Sequence, residues 1–267
     1  TLMLSTHNLF SPANGNPIVA PIQDIVLGAY WLTTTDEQAE PLPEPFTSPD
    51  EAIMAFDTGL VKLHDPIKVR IERNGEYVLA GAEPGNRTSV GRLLMNQILP
   101  EGLKYSDRYL YRTINKKGIA EMVAEVHAHG GKETTIAFLD ELKALGFRYA
   151  TMSGVTISMT DIPATREEIL RATETAVARW NRAYRGGTIT LGERKRQVLA
   201  LWMKAGEDVA QAIMQGIDHL NPVYVITDSG ARGSSKQIMQ LSGMRGLMAD
   251  PFGNLIEDLP IKSNFHE

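Results

Sequence analysis

Apolar side chains recur at spacings of three and four residues through much of the second half of the chain. From residue 117 onwards Ile119, Met122 and Val126 follow this period, and the pattern resumes after the pair Gly130 and Gly131. Glycine commonly ends a helix, and apolar spacing of this kind marks one face of a helix. We therefore expect a helix, a break at the two glycines and a second helix that runs to Gly146.

Two longer stretches of the same period, at about 165–184 and 191–214, flank the short segment 185–188. Their apolar positions form one stripe on each predicted helix: Ile169, Ala172, Ala176, Trp180 and Ala183 on the first, and Val198, Trp202, Ala205, Val209 and Ala212 on the second. This pattern predicts an antiparallel helical hairpin roughly 30 Å long. A narrow stripe with charged flanks fits a bundle or a projecting arm, and the many charges favour the arm.

Strand-like alternation is confined to the first half. The sequence IKVRIERNGEYVL at 67–79 alternates apolar and polar residues around Asn74 and Gly75, which predicts a β-hairpin. Residues 88–99 return to helical spacing, and the apolar run 25–30 fits a buried helix or strand. The proline-rich stretch 37–49 predicts an exposed loop. The fold class is therefore α+β and mostly α.

Composition narrows the class of protein. The 267 residues fit one large domain or two small ones, and 27 basic against 32 acidic residues give a net charge of −5. Such a chain does not bind nucleic acid through general electrostatic attraction, so any phosphate contact must be local. The absence of cysteine excludes disulfides, thiolate zinc sites and cysteine nucleophiles, and it favours a cytoplasmic protein.

Common targeting and catalytic signals are missing from the sequence. It has no apolar run of about 18 residues and no signal peptide, so we expect a soluble, unsecreted protein without membrane contact, cut from a longer chain. It also has no P-loop, His-Glu-x-x-His motif or Gly-x-Ser-x-Gly elbow. His127 and His129 lie two apart, where a helix would point them to different faces, so polar residues near a helix end are favoured over metal ligands. We predict no metal site and no catalytic residue.

The glycine-rich segment that begins at Asp228 is the best candidate for a binding site. Arg232 lies between Gly230 and Gly233, and Ser234 with Gln237 forms a capping-box pattern. Free backbone N–H groups and a guanidinium suit a phosphate. The residues alone leave two alternatives open: a phosphate contact at Arg232, or a pairing of Arg232 with Asp228. The supporting loop comprises Ser229, Gly230, Gly233 and Ser234.

Several separated motifs resemble one family. The string SGARGSSKQIMQLSGMRGLMADPFG, followed by IKSNFHE, is similar to the stretch before the bridge helix in the largest catalytic subunit of multisubunit RNA polymerases, the bacterial β′ type. The opening LMLSTHNLFSPANGNPIVAPIQDIVLGAYWLT, together with TSVGRLLMNQILPEGL, INKKG and LGFRYATMSGVTISMTD, matches the same family in the same order. The resemblance covers almost the whole chain.

The resemblance implies three segments: a small β-containing pore domain (1–118), a helical funnel domain (119–227) with its hairpin at about 165–214, and a lead-in to the bridge helix (228–267). In the family these line the secondary channel, which admits nucleoside triphosphates and accommodates the RNA 3′ end during backtracking. Arg232 would then face the nucleotide triphosphate. Met239 stands where the family commonly has arginine, which puts a polar role there in doubt.

The resemblance also implies partners: the other RNA polymerase subunits, and transcript-cleavage and related secondary-channel factors. These factors would dock at the hairpin tip, formed by Arg185, Gly186, Gly187 and Thr188. The family's Asp-rich magnesium loop does not occur in the sequence. We therefore expect this stretch alone to be inactive and to hold no cofactor, with magnesium bound elsewhere in the full subunit of this nucleotidyltransferase.

Two alternatives remain. The chain could act chiefly as a protein-interaction platform or scaffold with no direct substrate contact. Without the terminal motifs, the hairpin alone would equally suggest a helical bundle that has no site.

Overall fold

The computed structural model describes residues 4, 8–13, 15, 17–36, 39–73, 75–83, 85–162, 167–256 and 260–264. The chain forms two compact units: Thr1–Val155 with Asp228–Arg232, and Thr156–Thr227 with Gly233–Glu267. The division into pore, funnel and lead-in segments at 118 and 227 stays a prediction. The mostly α, α+β fold class is confirmed, because the described residues form helices and one two-stranded antiparallel sheet.

Among the described residues, the first unit contains the sheet and five helices. Its elements in chain order are α1 (Asp24–Thr33), α2 (Pro49–Asp57), β1 (Val69–Arg73), β2 (Glu76–Ala80), α3 (Val90–Gln97), a 3₁₀ turn (Glu101–Leu103), α4 (Asp107–Leu110) and α5 (Lys116–Ser153). Helix α1 lies at the centre of this unit and is buried on most of its circumference. It packs chiefly against α5.

The predicted β-hairpin is confirmed, with Val69 opposite Ala80 and Arg73 opposite Glu76. Asn74 of the predicted turn lies outside the described residues, and Gly75 has a positive φ of 81°. One face of β1 is buried, whereas Tyr77 and Leu79 of β2 are exposed. The hairpin therefore contributes to the core mainly through β1.

The stretch 37–49, predicted as an exposed loop from its prolines, is partly packed on the rest of the first unit. Residues 37 and 38 lie outside the described residues, and the part from residue 39 to Ser48 contains no helix. Phe46 nevertheless packs on the core and forms a parallel bridge with Val69. In this bridge the N–H of Phe46 donates a 2.8 Å hydrogen bond to the carbonyl oxygen of Lys68. Pro49 belongs to α2, where a proline fits the first turn.

Helix α5 confirms one predicted glycine break and corrects another. Gly131 has φ 71° and ψ −165°, which interrupts the helix where the sequence indicates. At Gly146, however, the helix continues to Ser153 and ends at Gly154, whose φ is +55°. A Cβ on Gly146 would lie 2.8 Å from the Ile25 Cα, and one on Gly28 would lie 1.9 Å from the Gly146 carbonyl oxygen. Gly146 thus allows α1 and α5 to approach closely and does not end the helix.

The second unit contains the predicted helical hairpin. Its elements are a 3₁₀ turn (Met159–Asp161), α6 (Glu167–Arg185), α7 (Leu191–Gly216), α8 (Pro222–Asp228, whose last residue belongs to the first unit), α9 (Ser235–Ile238) and a π-helical turn (Met239–Gly243). Residues 163–166, at the predicted start of the first hairpin helix, lie outside the described residues. Helices α6 and α7 pack against each other along the hairpin.

The apolar stripes of the hairpin were mostly predicted correctly. Val198, Trp202, Ala205 and Val209 are buried as expected. On α6 the buried position is Thr173, while Ala172 is exposed, and on α7 Ile213 is more buried than Ala212. The other predicted positions, Ile169, Ala176, Trp180 and Ala183, are partly buried, so the stripes hold except at Ala172.

Burial differs between the body of the hairpin and its tip. Within the body, Val198 and Trp202 join a cluster with Met244, Trp180 and Leu247. Every residue from 181 to 197 is at least partly exposed. The tip therefore lies outside the buried core of its own unit.

Candidate functional site

The loop Asp228–Arg232 is attached to the N-terminus of α5. The N–H of Lys116 donates a 2.9 Å hydrogen bond to the carbonyl oxygen of the buried Ser229. The N–H of Ala231 donates to Ser229 Oγ at 3.2 Å, and Ala231 packs on the main core of the first unit. Gly230 has a φ of +73°, and a Cβ there would lie 3.1 Å from the Lys116 Cβ. The backbone that leads into Arg232 is thus anchored to α5 and to the core of the first unit.

Arg232 itself is exposed. Asp228, the carboxylate that competes for it in the sequence, accepts a 2.7 Å hydrogen bond from the Tyr30 hydroxyl. Within the described residues the Arg232 guanidinium has neither a hydrogen bond nor an ion pair. The structure does not form the alternative Arg232–Asp228 pair, and the guanidinium faces solvent on a fixed loop.

Further cations lie at and just before the N-terminus of α5, to which this loop is attached. Lys116 and Lys117 begin α5, where Asn115 caps the helix by accepting a 3.0 Å bond from the Gly118 N–H. Lys117 and Arg112 line a cavity of about 210 Å³ together with Arg108 and Glu121, which pair with each other at 3.9 Å. Both lysines and Arg112 are exposed, and no carboxylate among the described residues pairs with them. The N-terminus of a helix carries a partial positive charge, and these cations add to it. The positive potential at this surface therefore favours the binding of an anion.

These three cations were not among the predicted site residues. The INKKG string contains Lys116 and Lys117, so the sequence did hold a signal for them. What the sequence could not show is that this string contacts a loop more than a hundred positions further along the chain.

Gly233 and Ser234 of the predicted loop belong to the second unit. Ser234 caps α9 by accepting a bond from the Gln237 N–H at 3.4 Å, and Gly233 has a φ of +83°. The Ser234 hydroxyl donates a 3.4 Å hydrogen bond to Gln237 Oε1. In a full capping box this oxygen would instead accept from the Ser234 N–H. The predicted cap is confirmed, and the predicted box is only half formed.

Met239 is buried against α7. A Cβ added to Gly206 would lie 3.2 Å from the Met239 sulfur, which places the thioether in an apolar cluster with Val209 and Ile213. The Met239 side chain therefore contributes to packing. Arg245, in contrast, is exposed and lies at the edge of a cavity of about 570 Å³.

The predicted tip of the hairpin forms a tight connection. The N–H groups of Gly186 and Gly187 donate to the carbonyls of Arg182 and Tyr184, and Gly187 has a φ of +72°. Thr188 donates to the Ala183 carbonyl through both its N–H and its hydroxyl. These bonds close the end of α6 and leave the side chain of Arg185 exposed.

The two histidines have separate surroundings. His127 Nδ1 lies 3.1 Å from Thr135 Oγ1, and its ring packs on Phe10. His129 contacts Gly102. In the portion of the chain that the structure describes, no three His, Asp or Glu side chains are grouped so as to hold a metal ion. None of the described helices has both the length and the apolarity that a membrane span requires.

Comparison with known proteins agrees with the resemblance. The family description "RNA polymerase Rpb1, domain 3" matches residues 8–162, and "RNA polymerase Rpb1, domain 4" matches residues 189–266. The DNA-directed RNA polymerase subunit β′ of Clostridium acetobutylicum is 39% identical to the chain, and that of Pelotomaculum thermopropionicum is 41% identical. Each alignment covers 100% of this chain and 23% or 22% of the relative.

The β′ subunit of Acetivibrio thermocellus is 40% identical, again over 100% of this chain and 24% of the relative. The chain thus spans about a quarter of the length of the curated relatives it matches. Matches to two consecutive domains of one family, together covering most of the chain, leave one assignment: the chain belongs to the RNA polymerase Rpb1 family, which includes these bacterial β′ subunits.

Proposed function

We propose that this chain is part of a bacterial, cytoplasmic DNA-directed RNA polymerase and that it lines the secondary channel. In this role it contacts nucleoside triphosphates on their way to the active site. The observation that carries the proposal is Arg232, an exposed and unpaired guanidinium on a loop that is fixed to α5 by the Lys116–Ser229 hydrogen bond. A guanidinium on a rigid backbone binds phosphate oxygens at a low entropic cost.

The surrounding charges support a polyanionic ligand. Lys116, Lys117 and Arg112 lie on the same unit as Arg232 and have no carboxylate partner among the described residues. A triphosphate, or the phosphates of a backtracked RNA 3′ end, would be attracted to these cations. The overall charge of −5 keeps this attraction local.

We propose that the metal chemistry of nucleotide addition belongs to another part of the subunit, because the sequence lacks the family's Asp-rich loop. We therefore derive no magnesium-dependent step from this chain. Its role in the proposed nucleotidyltransferase is substrate access and phosphate contact.

Affinity labelling of the assembled polymerase tests this role. A nucleoside triphosphate with a photoreactive group on its γ-phosphate should label the chain near residues 116–117 and 232, and excess unmodified triphosphate should prevent the labelling. The variant Arg232→Ala should lose most of the label, whereas Arg148→Ala, which removes an exposed arginine elsewhere on α5, should keep it. Labelling that is equal in both variants would contradict the assignment.

We further propose that secondary-channel factors, transcript-cleavage factors among them, dock at the hairpin tip. This proposal is supported by the exposure of residues 181–197 and by the tight turn that holds the tip in shape. Replacement of the tip residues should weaken factor-stimulated RNA cleavage and leave basal elongation intact. Loss of basal elongation alone would count against a docking role.

The second candidate, a protein-interaction platform without substrate contact, is favoured by a separate observation. Several large apolar side chains are strongly exposed, including Phe252 at 90%, Leu60 at 81% and Tyr77 at 68%. Exposed apolar groups of this kind are typical of subunit interfaces. The other polymerase subunits are the expected partners, and the Arg232 experiment separates the two candidates.

A further inference from the structure

The tip of the hairpin concentrates positive charge in a chain that is acidic overall. Between Ala178 and Gln197 the sequence has six basic residues and a single carboxylate, Glu193, while the whole chain carries a net charge of −5. We define the basic tip as the five exposed members of this group: Arg179, Arg182, Arg185, Lys195 and Arg196. The sixth, Arg194, is half-buried between the helices.

The charges of the basic tip are not neutralised within the hairpin. Arg182 Nε donates to the carbonyl of Ala178 at 3.3 Å, a bond to its own helix. For the other four members, no carboxylate in the described residues is an ion-pair partner. Nearer the base the pattern is different, because Arg171 pairs with Glu167 and Lys262 pairs with Glu174. Unpaired cations are thus concentrated at the tip.

Helix stability accounts for only part of this arrangement. Arg182 and Arg185 lie in the last turn of α6, where cations interact favourably with the helix dipole. Lys195 and Arg196 are the fifth and sixth residues of α7, beyond the first turn and far from its C-terminus, so the helix dipole does not stabilise them. A negatively charged group outside the hairpin would stabilise all four side chains together.

Apolar side chains among these cations indicate the kind of partner. Leu191 is 54% exposed and Tyr184 is 39% exposed. Arg194 lies over the Tyr184 ring and also donates a 3.2 Å bond to Asn181 Oδ1, which fixes the two helices to each other. Arginine and tyrosine are enriched in protein interfaces, and an exposed leucine has no counterpart on a phosphate backbone. A protein surface therefore fits the tip better than a nucleic acid.

We propose that the basic tip binds an acidic face of a protein partner. Carboxylates of the partner contact Arg185, Lys195 and Arg196, while Leu191 packs on an apolar group between them. This inference rests on the proposed docking function of the hairpin and specifies the chemistry of the factor that docks there. Long-range attraction between the two faces would accelerate association and would weaken as salt is added.

Binding of a purified transcript-cleavage factor to the assembled polymerase tests the inference. The factor is labelled with a fluorophore, and its Kd is measured by anisotropy at several salt concentrations. Lys195→Glu should raise the Kd roughly threefold to tenfold at low salt and reduce its salt dependence. Lys204→Glu, the same charge change on an exposed residue of α7 about 13 Å further along, should leave the Kd unchanged.

A compensating change makes the test specific. If the acidic face is correct, a Glu→Lys substitution on the factor should weaken its binding to the unmodified polymerase and restore its binding to the Lys195→Glu variant. An unchanged Kd for Lys195→Glu, Arg185→Glu and Arg196→Glu would overturn the inference.

One variant separates this inference from the docking proposal on which it rests. Leu191→Asp removes an apolar contact at the tip, and aspartate is a favourable residue in the first turn of a helix such as α7. If Leu191→Asp weakens binding and the charge reversals do not, docking stands and the acidic partner is wrong. If no tip variant has an effect, or the factor does not bind at all, both the docking proposal and the acidic-partner inference fail.

A labelled single-stranded RNA serves as the other probe. If the charge-reversal variants abolish RNA binding and leave factor binding unchanged, the inference is likewise overturned.

Discussion

The backbone N–H of Lys116 donates a 2.9 Å hydrogen bond to the carbonyl oxygen of Ser229, and this bond joins the N-terminus of a long helix to the loop that carries Arg232. It places two stretches of cationic sequence side by side in one compact unit. Since the loop is held through its backbone, the Arg232 side chain remains available for a ligand.

Substitution of Gly230 should disturb this attachment. Gly230→Ala forces a side chain into a backbone with φ +73° at a cost of about 1–2 kcal/mol, and its Cβ would lie 3.1 Å from the Lys116 Cβ. We expect the KM for nucleoside triphosphates to rise, as measured by elongation kinetics of the assembled polymerase. Gly75→Ala is the matched control, because Gly75 has a φ of +81° and open space around it. An equal KM in both variants would separate the loop from nucleotide binding.

The contact between α1 and α5 should be sensitive to a single methyl group. Gly146→Ala would place a Cβ 2.8 Å from the backbone of Ile25, and overpacking of this kind costs about 1–3 kcal/mol. We expect a clear fall in the thermal unfolding midpoint. Gly192→Ala, in a helical position with nothing within 4 Å, should instead raise stability by up to about 1 kcal/mol. A neutral Gly146→Ala would show that the helices do not meet there.

His64 should give the first unit a dependence on pH. Burial lowers the pKa of His64 below its usual 6.5, and its Nδ1 lies 2.9 Å from the carbonyl oxygen of Thr34. The unfolded chain therefore binds more protons than the folded one as the pH falls through 6.5, so stability should decrease from there down to the lowered pKa and change no further below it.

Unfolding measured between pH 8 and about pH 5 checks this dependence. His64→Gln should remove the part of the decrease that His64 contributes, while His219→Gln, at an exposed position, should retain it. Identical pH profiles for the unmodified chain and His64→Gln would refute the role of burial.

The sequence predicts elements better than it predicts their contacts. The period of three and four gave the hairpin helices to within a few residues, and alternation around Gly75 gave the sheet. Gly131 and Gly146 look alike in the sequence, yet one breaks α5 and the other packs on α1. The difference depends on Gly28, more than a hundred residues away, and no local pattern reports such a partner.

The same limit applies to the candidate site. Arg232 and its glycines were identified from spacing and chemistry, because a glycine-rich loop with an arginine is a local feature. The pairing of Asp228 with Tyr30 and the placement of Lys116 beside Gly230 are long-range contacts. Because of these two contacts the Arg232 guanidinium is left free to bind a ligand. Neither contact can be inferred from the local sequence.

The most direct measurement of the central claim is the rate of nucleotide addition by polymerase that carries Arg232→Ala, followed against nucleoside triphosphate concentration. Loss of a charge-assisted hydrogen bond of about 1.5–3 kcal/mol should lower kcat/KM by roughly tenfold to a hundredfold, mainly through KM, and Arg232→Lys should recover part of the loss. Arg148→Ala should behave as the unmodified enzyme. Kinetics of Arg232→Ala that equal those of Arg148→Ala would contradict a phosphate contact at Arg232.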